Sequence, residues 1–282
     1  MVERRPLSNL LAHAILWAGI GIVVFPVYLT VIASTHTPQD IFNGTMGFLP
    51  GGVPTDNYVA ALFAGAKQVK TTPATTMMLN SLVMALMIAV GKIAISIISA
   101  YAVVYFRFWG RMVAFWTIFV TLMLPVEVRI YPTYKVVADL GMLNSYAGLA
   151  VPLIASATAT LLFRQFFMTI PDELVEASKM DGAGPLRFFW DTVVPLSRTN
   201  VAALFVILFI YGWNQYLWPL LITTDAGMDT IIVGIRRQIV TSDANTDWHI
   251  VMATAVLAML PPVAVVVLMQ RLFVKGLVET EK

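Results

Sequence analysis

The chain has 282 residues, of which 59% are hydrophobic and only 12% are charged, whereas a soluble domain carries about a quarter charged residues. This composition excludes a water-soluble globule, and the absence of cysteine excludes disulfides and thiol catalysis. The net charge is only +2, and the lysines and arginines are spread along the chain, so nucleic-acid binding is not indicated. The three histidines lie far apart in sequence, so a histidine metal site is not indicated either.

Long apolar runs predict an all-α integral membrane protein that crosses the bilayer about six times. Lipid offers backbone groups no hydrogen-bond partner, so runs of this length must be helical, and they lack the alternating polarity of barrel strands. In chain order the runs are 10–33, 79–106, 112–124, 146–168, 201–221 and 250–269. We expect one transmembrane domain over residues 1–282.

The first run follows Arg4 and Arg5, as a signal peptide would, but it exceeds the roughly 7–15 residues of a signal core. We therefore interpret it as an uncleaved first span. If the N-terminus is cytoplasmic, the inner segments hold more lysine and arginine than the outer ones, in less total loop length. Both termini and the polar segment 171–198 are therefore expected on the cytoplasmic side.

The most informative stretch is PDELVEASKMDGAGPLRFFWDTVVPLSRTN, residues 171–200. It reads as two short helices joined by a tight turn. Pro171 and Asp172 are typical of a helix start, Gly182 can adopt positive φ, and Pro185 is favoured at the first position of a second helix. The alternative is an ordinary amphipathic linker.

Residue sizes within this stretch are unusual for a solvated loop. Small residues surround the turn, and they would let it enter a partner's groove deeply. The second helix carries bulky apolar residues, which we expect to be buried against the spans or a partner: Leu186, Phe188, Phe189 and Trp190.

Glu176-Ala177-Ser178, then Asp181-Gly182-Ala183, then Pro195-Leu196 resembles the EAA loop of ABC-importer permeases. In that family the loop lies between the fourth and fifth of six spans, as it does here, and Ser178 stands in place of the motif's second alanine. The resemblance implies the type I importer permease fold and a cytoplasmic coupling helix. The residues it assigns to ATPase coupling are Glu176, Ala177, Ser178, Asp181, Gly182 and Ala183.

The resemblance covers nearly the whole chain. Residues 54–58 (PTDNY) resemble the family's first periplasmic loop, and residues 213–220 (WNQYLWPL) resemble its signature near the end of the fifth span. The subfamily is that of carbohydrate permeases related to the smaller maltose permease. Within it, residues 122–133 and 209–222 resemble the sn-glycerol-3-phosphate permeases. The implied function is import of sn-glycerol 3-phosphate, or a related glycerophosphodiester, across the bacterial inner membrane.

The chain itself contains no phosphate-binding loop, because Gly91-Lys92 is followed by Ile93 and not by Ser or Thr. We therefore expect a non-catalytic subunit without a cofactor or metal, with ATP and Mg bound by a partner ATPase. The resemblance implies a second homologous permease, a cytoplasmic ATPase dimer and a periplasmic substrate-binding protein as partners, together with membrane lipid and no nucleic acid.

Polar residues in and near the spans are the candidates for the substrate path. They are Lys92, Glu127, Arg129, Asn214, Gln215 and Tyr216. Lys92 and Arg129 could attract an anionic substrate. Lys92 could equally snorkel to a crevice, Arg129 could fix the neighbouring helix or contact the binding protein, and the uncharged groups could join helices by hydrogen bonds.

Three other functions are alternatives to this one. The same architecture could import an uncharged sugar. An ion-coupled secondary transporter would need acidic residues in the membrane, and no Asp or Glu lies within the six apolar runs. A membrane scaffold without transport would have no specific need for segment 171–198.

Overall fold

The computed structural model describes residues 6–66, 71–120, 126–239 and 246–278, and all regular secondary structure in those residues is helical. In chain order the α-helices are α1 (Pro6–Ala33), α2 (Pro38–Phe42), α3 (Pro54–Phe63), α4 (Ala74–Tyr105), α5 (Arg111–Val120), α6 (Val126–Asp139), α7 (Tyr146–Ala150), α8 (Ala157–Phe167), α9 (Asp172–Met180), α10 (Pro185–Phe188), α11 (Val194–Leu196), α12 (Arg198–Trp213), α13 (Leu217–Ile222), α14 (Ile231–Gln238) and α15 (Trp248–Val278).

Three helices are long and apolar enough to cross a membrane, and the number rises to five if two bent helix pairs each count as one span. The three are Asn9–Ala33, Ala74–Tyr105 and Trp248–Gln270. The prediction of an all-helical membrane protein is confirmed, but the described residues do not establish six spans. The third predicted run corresponds to α5, an apolar helix of only ten residues, and residues 121–125 lie outside the described part.

Two predicted spans are interrupted. Within the fourth run, α7 passes into a 3-10 turn containing Pro152, and α8 begins anew with a 49° bend between the two halves. The Ser156 hydroxyl caps α8 by accepting a hydrogen bond from the Ala159 amide at 3.3 Å. Within the fifth run, α12 ends at Trp213 and α13 begins at Leu217. By contrast, the sixth run is one helix that continues through Pro261 and Pro262.

The described residues form two compact units, and the prediction of a single domain stays a prediction. The first unit comprises the described residues of 6–76 and 234–259. Its loop after α1 is fixed by Asn57, whose buried amide donates to the carbonyls of Ser34 and His36 at 2.9 and 2.8 Å. Thr37 and Asp40 form a reciprocal capping box at the start of α2.

The second unit comprises the described residues of 77–233 and 260–278. It contains the polar segment 171–198 and the predicted substrate-path residues. One cluster of its apolar core joins α4, α6, α7 and α13, and it consists of Met84, Ile88, Val137, Leu149, Ala150, Trp218 and Ile222. Helices α4 and α12 approach each other at Gly212, where an added Cβ would lie 2.9 Å from the Cα of Ala85. A larger residue at Gly212 would therefore push the two backbones apart.

Candidate functional site

Residues 171–198, here called the coupling segment, form the two helices and the turn that the sequence predicts. Helix α9 begins after Pro171 and carries Asp172 and Glu173 in its first turn and Lys179 in its last. Acidic groups near the N-terminus and a basic group near the C-terminus both complement the helix dipole. The helix is therefore stabilised by its own sequence, without any buried residue among Asp172–Met180.

The turn after α9 is a Schellman motif centred on Gly182. The Ala183 amide donates to the Ser178 carbonyl, and the Gly182 amide donates to the Lys179 carbonyl, both at 3.0 Å. Gly182 has φ of +72°, a conformation that costs other L-residues about 1–2 kcal/mol. The predicted positive φ is thus observed. None of the described residues lies within 4 Å of a Cβ added there, so the turn presents open space.

The second half of the coupling segment begins with Gly184 as N-cap and Pro185 at the first helical turn, as predicted. After α10 the backbone passes through a π-helical turn, Phe189–Val193, before α11. Pro195 in α11 has no amide hydrogen and its ring conflicts with the preceding turn of a regular α-helix. The wider π turn accommodates this proline.

The side chains of the coupling segment are divided between surface and interior. Glu176, Ala177, Asp181 and Gly182 are exposed, and Ser178 and Ala183 are partly buried. Burial of the four bulky residues against the spans or a partner was predicted, and this chain by itself buries two of them. Phe188 and Phe189 are covered, whereas Leu186 and Trp190 are 76% and 64% exposed.

The buried aromatic side attaches to the C-terminal end of α4, a contact that the sequence analysis missed. Tyr101 donates from its hydroxyl to the Pro185 carbonyl at 2.7 Å, and its ring lies 4.9 Å from that of Phe189. Tyr105 meets Phe188 edge to face at 5.3 Å between centroids. The two tyrosines, four residues apart on one helix face, were the available signal.

The predicted substrate-path residue Lys92 lies on α4, nine residues before Tyr101, and is 8% exposed. Its Nζ atom is 4.1 Å from the ring centroid of Tyr211 on α12, a cation–π arrangement. Arg129, at the outer end of the third predicted run, is exposed. The sequence analysis missed Tyr211, although it stands three residues before Asn214, on the same face of α12.

The other predicted substrate-path residues differ in their contacts and exposure. The Gln215 side-chain amide donates to the backbone carbonyl of Tyr211 at 3.2 Å, a local bond at the end of α12. Asn214 is the exposed C-cap of α12, and Tyr216 is 37% exposed. The Glu127 side chain lies outside the described residues. No cluster of three His, Asp or Glu side chains suited to a metal ion occurs in the described ranges.

Apolar helices that can span a membrane, with an exposed and locally capped elbow attached to one of them by an aromatic contact, are typical of a membrane permease. Residues 92–279 match the family described as "Binding-protein-dependent transport system inner membrane component". The chain belongs to this family, and it is therefore a non-catalytic component of a transport system.

Relatives along the full length support this assignment. The chain is 61% identical over 282 residues to the sn-glycerol-3-phosphate transport system permease protein UgpE of Brucella melitensis, covering 100% of both chains. Over the same span it is 60% identical to UgpE of Agrobacterium fabrum and 56% identical to UgpE of Yersinia pestis. A chain in the crystal structure of a bacterial ABC transporter that imports the acidic polysaccharide alginate has the same fold, with a TM-score of 0.80, 20% identity, and coverage of 96% of this chain and 98% of that one.

Proposed function

We propose that this chain is one of two permease subunits in an ATP-driven importer of sn-glycerol 3-phosphate or related glycerophosphodiesters. Both termini and the coupling segment face the cytoplasm, where a partner ATPase dimer binds ATP and Mg. A second homologous permease completes the pathway, and a periplasmic binding protein delivers the substrate. The full-length similarity to relatives named for sn-glycerol 3-phosphate carries this proposal.

The coupling segment is proposed as the contact with the ATPase. The exposed tip formed by Glu176, Ala177, Asp181 and Gly182 enters a cleft of that subunit, with Ser178 and Ala183 at its edges. The Schellman motif keeps this tip rigid, because its backbone carbonyls are already bonded. Exposed Leu186 and Trp190 supply apolar area for the same partner.

Motion of the tip would reach the substrate path through α4. Tyr101 is bonded to the coupling segment, and Lys92 stands nine residues earlier on the same continuous helix. At 1.5 Å per residue these two positions are about 14 Å apart along the axis. A tilt imposed at Tyr101 therefore moves Lys92 as part of one rigid element.

The path itself is proposed to attract the phosphate group through Lys92 and Arg129. A phosphate anion would be attracted by both cations, and the low polarity around buried Lys92 would strengthen that attraction. Tyr211 holds the Lys92 ammonium over its ring until the anion arrives. Glu127, Asn214, Gln215 and Tyr216 are proposed to complete the polar lining and to bind the glycerol hydroxyls.

The partner contact can be tested by crosslinking, since the natural chain has no cysteine to interfere. Ala177→Cys in the complex purified from native membranes should crosslink to a nucleotide-hydrolysing subunit, whereas the exposed control Leu140→Cys should not. A membrane-impermeant maleimide should label the two cysteines from opposite sides of the membrane. Failure to capture an ATPase through Ala177 or Ala183, or full uptake by this chain alone in ATP-free vesicles, would refute the proposal.

The substrate can be tested in proteoliposomes that hold the whole complex and the binding protein. Lys92→Gln should lower sn-glycerol 3-phosphate uptake at least tenfold, whereas Lys92→Arg should keep most of it, because a single missing ion pair in a partly buried site costs about 1.5–3 kcal/mol. Uptake of an uncharged sugar at a rate independent of Lys92 and Arg129 would favour the sugar importer instead.

A further inference from the structure

Two adjoining cavities lie beside the C-terminal end of α4 and the start of α5, the larger one bounded by the coupling segment and the smaller one by α8. The larger, of about 840 Å³, is lined by Arg107, Arg111 and Lys179, with Asp172 as its one carboxylate in the described residues. The smaller, of about 170 Å³, is lined mostly by apolar side chains, with Arg111 and Arg164 as its charged residues. Arg111 and Val104 line both cavities, which places a cationic chamber directly beside an apolar slot.

Among the residues that the structure describes, no ion pair neutralises the basic residues of the larger cavity. The ion pairs found in the described ranges are His36–Asp40, Lys135–Asp139 and Arg187–Asp191, and none of them involves a lining residue of the cationic chamber. Three cations therefore face one carboxylate there. Arg164 is held differently, because its guanidinium lies 4.4 Å from the ring centroid of Phe115.

The loop that carries two of these arginines has the composition of a membrane-interface anchor. Between Arg107 and Arg111 the chain reads Phe-Trp-Gly, and Trp109 is 99% exposed while Phe108 is 46% exposed. Aromatic side chains flanked by basic ones are favoured at the headgroup level of a bilayer. The loop directly follows α4, a helix long and apolar enough to span a membrane, so we expect the loop and the cavities beside it to lie near the membrane interface.

We propose that the two cavities bind one anionic phospholipid, with its phosphate in the chamber of Arg107, Arg111 and Lys179 and part of an acyl chain in the apolar slot. The apolar walls come from Val103, Val104, Met112 and Met168. The lipid would fill the space behind α9 and support the coupling segment from its membrane side. The site is separate from the proposed substrate path, but Ser178 and Ala183 of the coupling segment line the larger cavity, so the bound lipid would lie directly beside the proposed ATPase contact.

The site can be tested with photoactivatable lipids in nanodiscs that contain the purified transporter complex. A phosphatidylglycerol analogue should label peptides within 103–112 and 164–179 at least five times more than the phosphatidylcholine analogue. Arg107→Gln with Arg111→Gln should reduce that labelling more than about tenfold, because each basic residue near an anionic surface contributes about fivefold. The charge-keeping pair Arg107→Lys with Arg111→Lys should retain most of it and serves as the folding control.

The control for a general loss of positive charge is Arg187→Gln, on the same segment but outside both cavities. It should leave the labelling unchanged. Equal labelling by the two lipid analogues, or no effect of the double Gln variant, would overturn the proposal. Loss of labelling on addition of millimolar inorganic phosphate would assign the chamber to a soluble anion and would equally overturn the lipid assignment.

Discussion

The two ends of α4 are attached to the rest of their unit by different kinds of contact. Near its start, Asn80 donates to the carbonyls of Gly227 and Asp229 at 2.9 and 3.0 Å and accepts from the Tyr146 hydroxyl at 2.7 Å. Near its other end, aromatic rings and a single strong hydrogen bond hold the coupling segment. Hydrogen bonds fix direction and register, whereas ring contacts tolerate small rotations.

This difference in contacts indicates which end of α4 can move. At the Asn80 end, the Asn80 side chain is buried, and both its amide nitrogen and its amide oxygen are hydrogen-bonded. The neighbouring Ser81 hydroxyl accepts a hydrogen bond from the Ile231 amide at 2.8 Å. The Tyr101 end faces a cavity on one side and exposed residues on the other. We infer that α4 pivots about the Asn80 end when the coupling segment moves. Stability should then depend on one end and transport on the other.

Asn80→Leu should have the largest effect. It leaves two carbonyls and the Tyr146 hydroxyl without this partner in a buried site, and each such loss costs about 1–3 kcal/mol. The apparent Tm of the detergent-purified protein should fall by about 10 °C. Leu79→Ala, one residue away and 55% exposed, is the control and should leave the Tm nearly unchanged. An unaltered Tm in Asn80→Leu would mean that this end is not the fixed one.

Gly182→Val should abolish ATP-driven uptake while the chain still inserts into the membrane. Valine cannot readily adopt the observed φ of +72°, so the Schellman turn would open and the tip would change shape. Uptake in proteoliposomes and the Tm should be measured together. Gly182→Asn, which tolerates this φ, should recover part of the uptake.

The matched control for that variant is Gly184→Ala, since Gly184 has an ordinary φ of −72° and open space around it. It should transport normally. Normal uptake in Gly182→Val, or an equal defect in Gly184→Ala, would show that the backbone conformation at the turn does not matter for coupling.

Tyr101→Phe should have a smaller effect, confined to coupling. It removes a hydrogen bond worth about 1 kcal/mol but keeps the ring contacts, so we expect a few-fold fall in substrate transported per ATP hydrolysed. Tyr105→Phe should change this ratio less, because its bond to the Phe167 carbonyl is long, at 3.4 Å. A Tm loss in Tyr101→Phe as large as that in Asn80→Leu would contradict the division between the two ends.

The sequence predicts the local features of the coupling segment well and its attachments poorly. Pro171, Gly182 and Pro185 each act on the backbone of their own turn, so their effect can be read directly from residue type. The contacts of Tyr101 with Pro185 and of Lys92 with Tyr211 join residues more than 80 positions apart. Only the packed structure brings such pairs together.

The number of spans and the positions of their breaks also could not be predicted from the hydrophobic pattern of the sequence. Pro152 interrupts the fourth run, whereas Pro261 and Pro262 leave the sixth helix continuous. Composition alone does not separate these outcomes, because a proline in a membrane helix depends on whether neighbours satisfy the freed carbonyls.

Uncovered Leu186 and Trp190 carry a further consequence for how the cell manages this protein. If the coupling segment lies in the cytoplasm as proposed, a chain made without its partner displays two large apolar side chains to water, where chaperones and proteases recognise such surfaces. Orphan copies should therefore be degraded faster than assembled ones. The abundance of the permease would then follow the supply of its partner, which keeps the subunits in proportion without separate control of each gene.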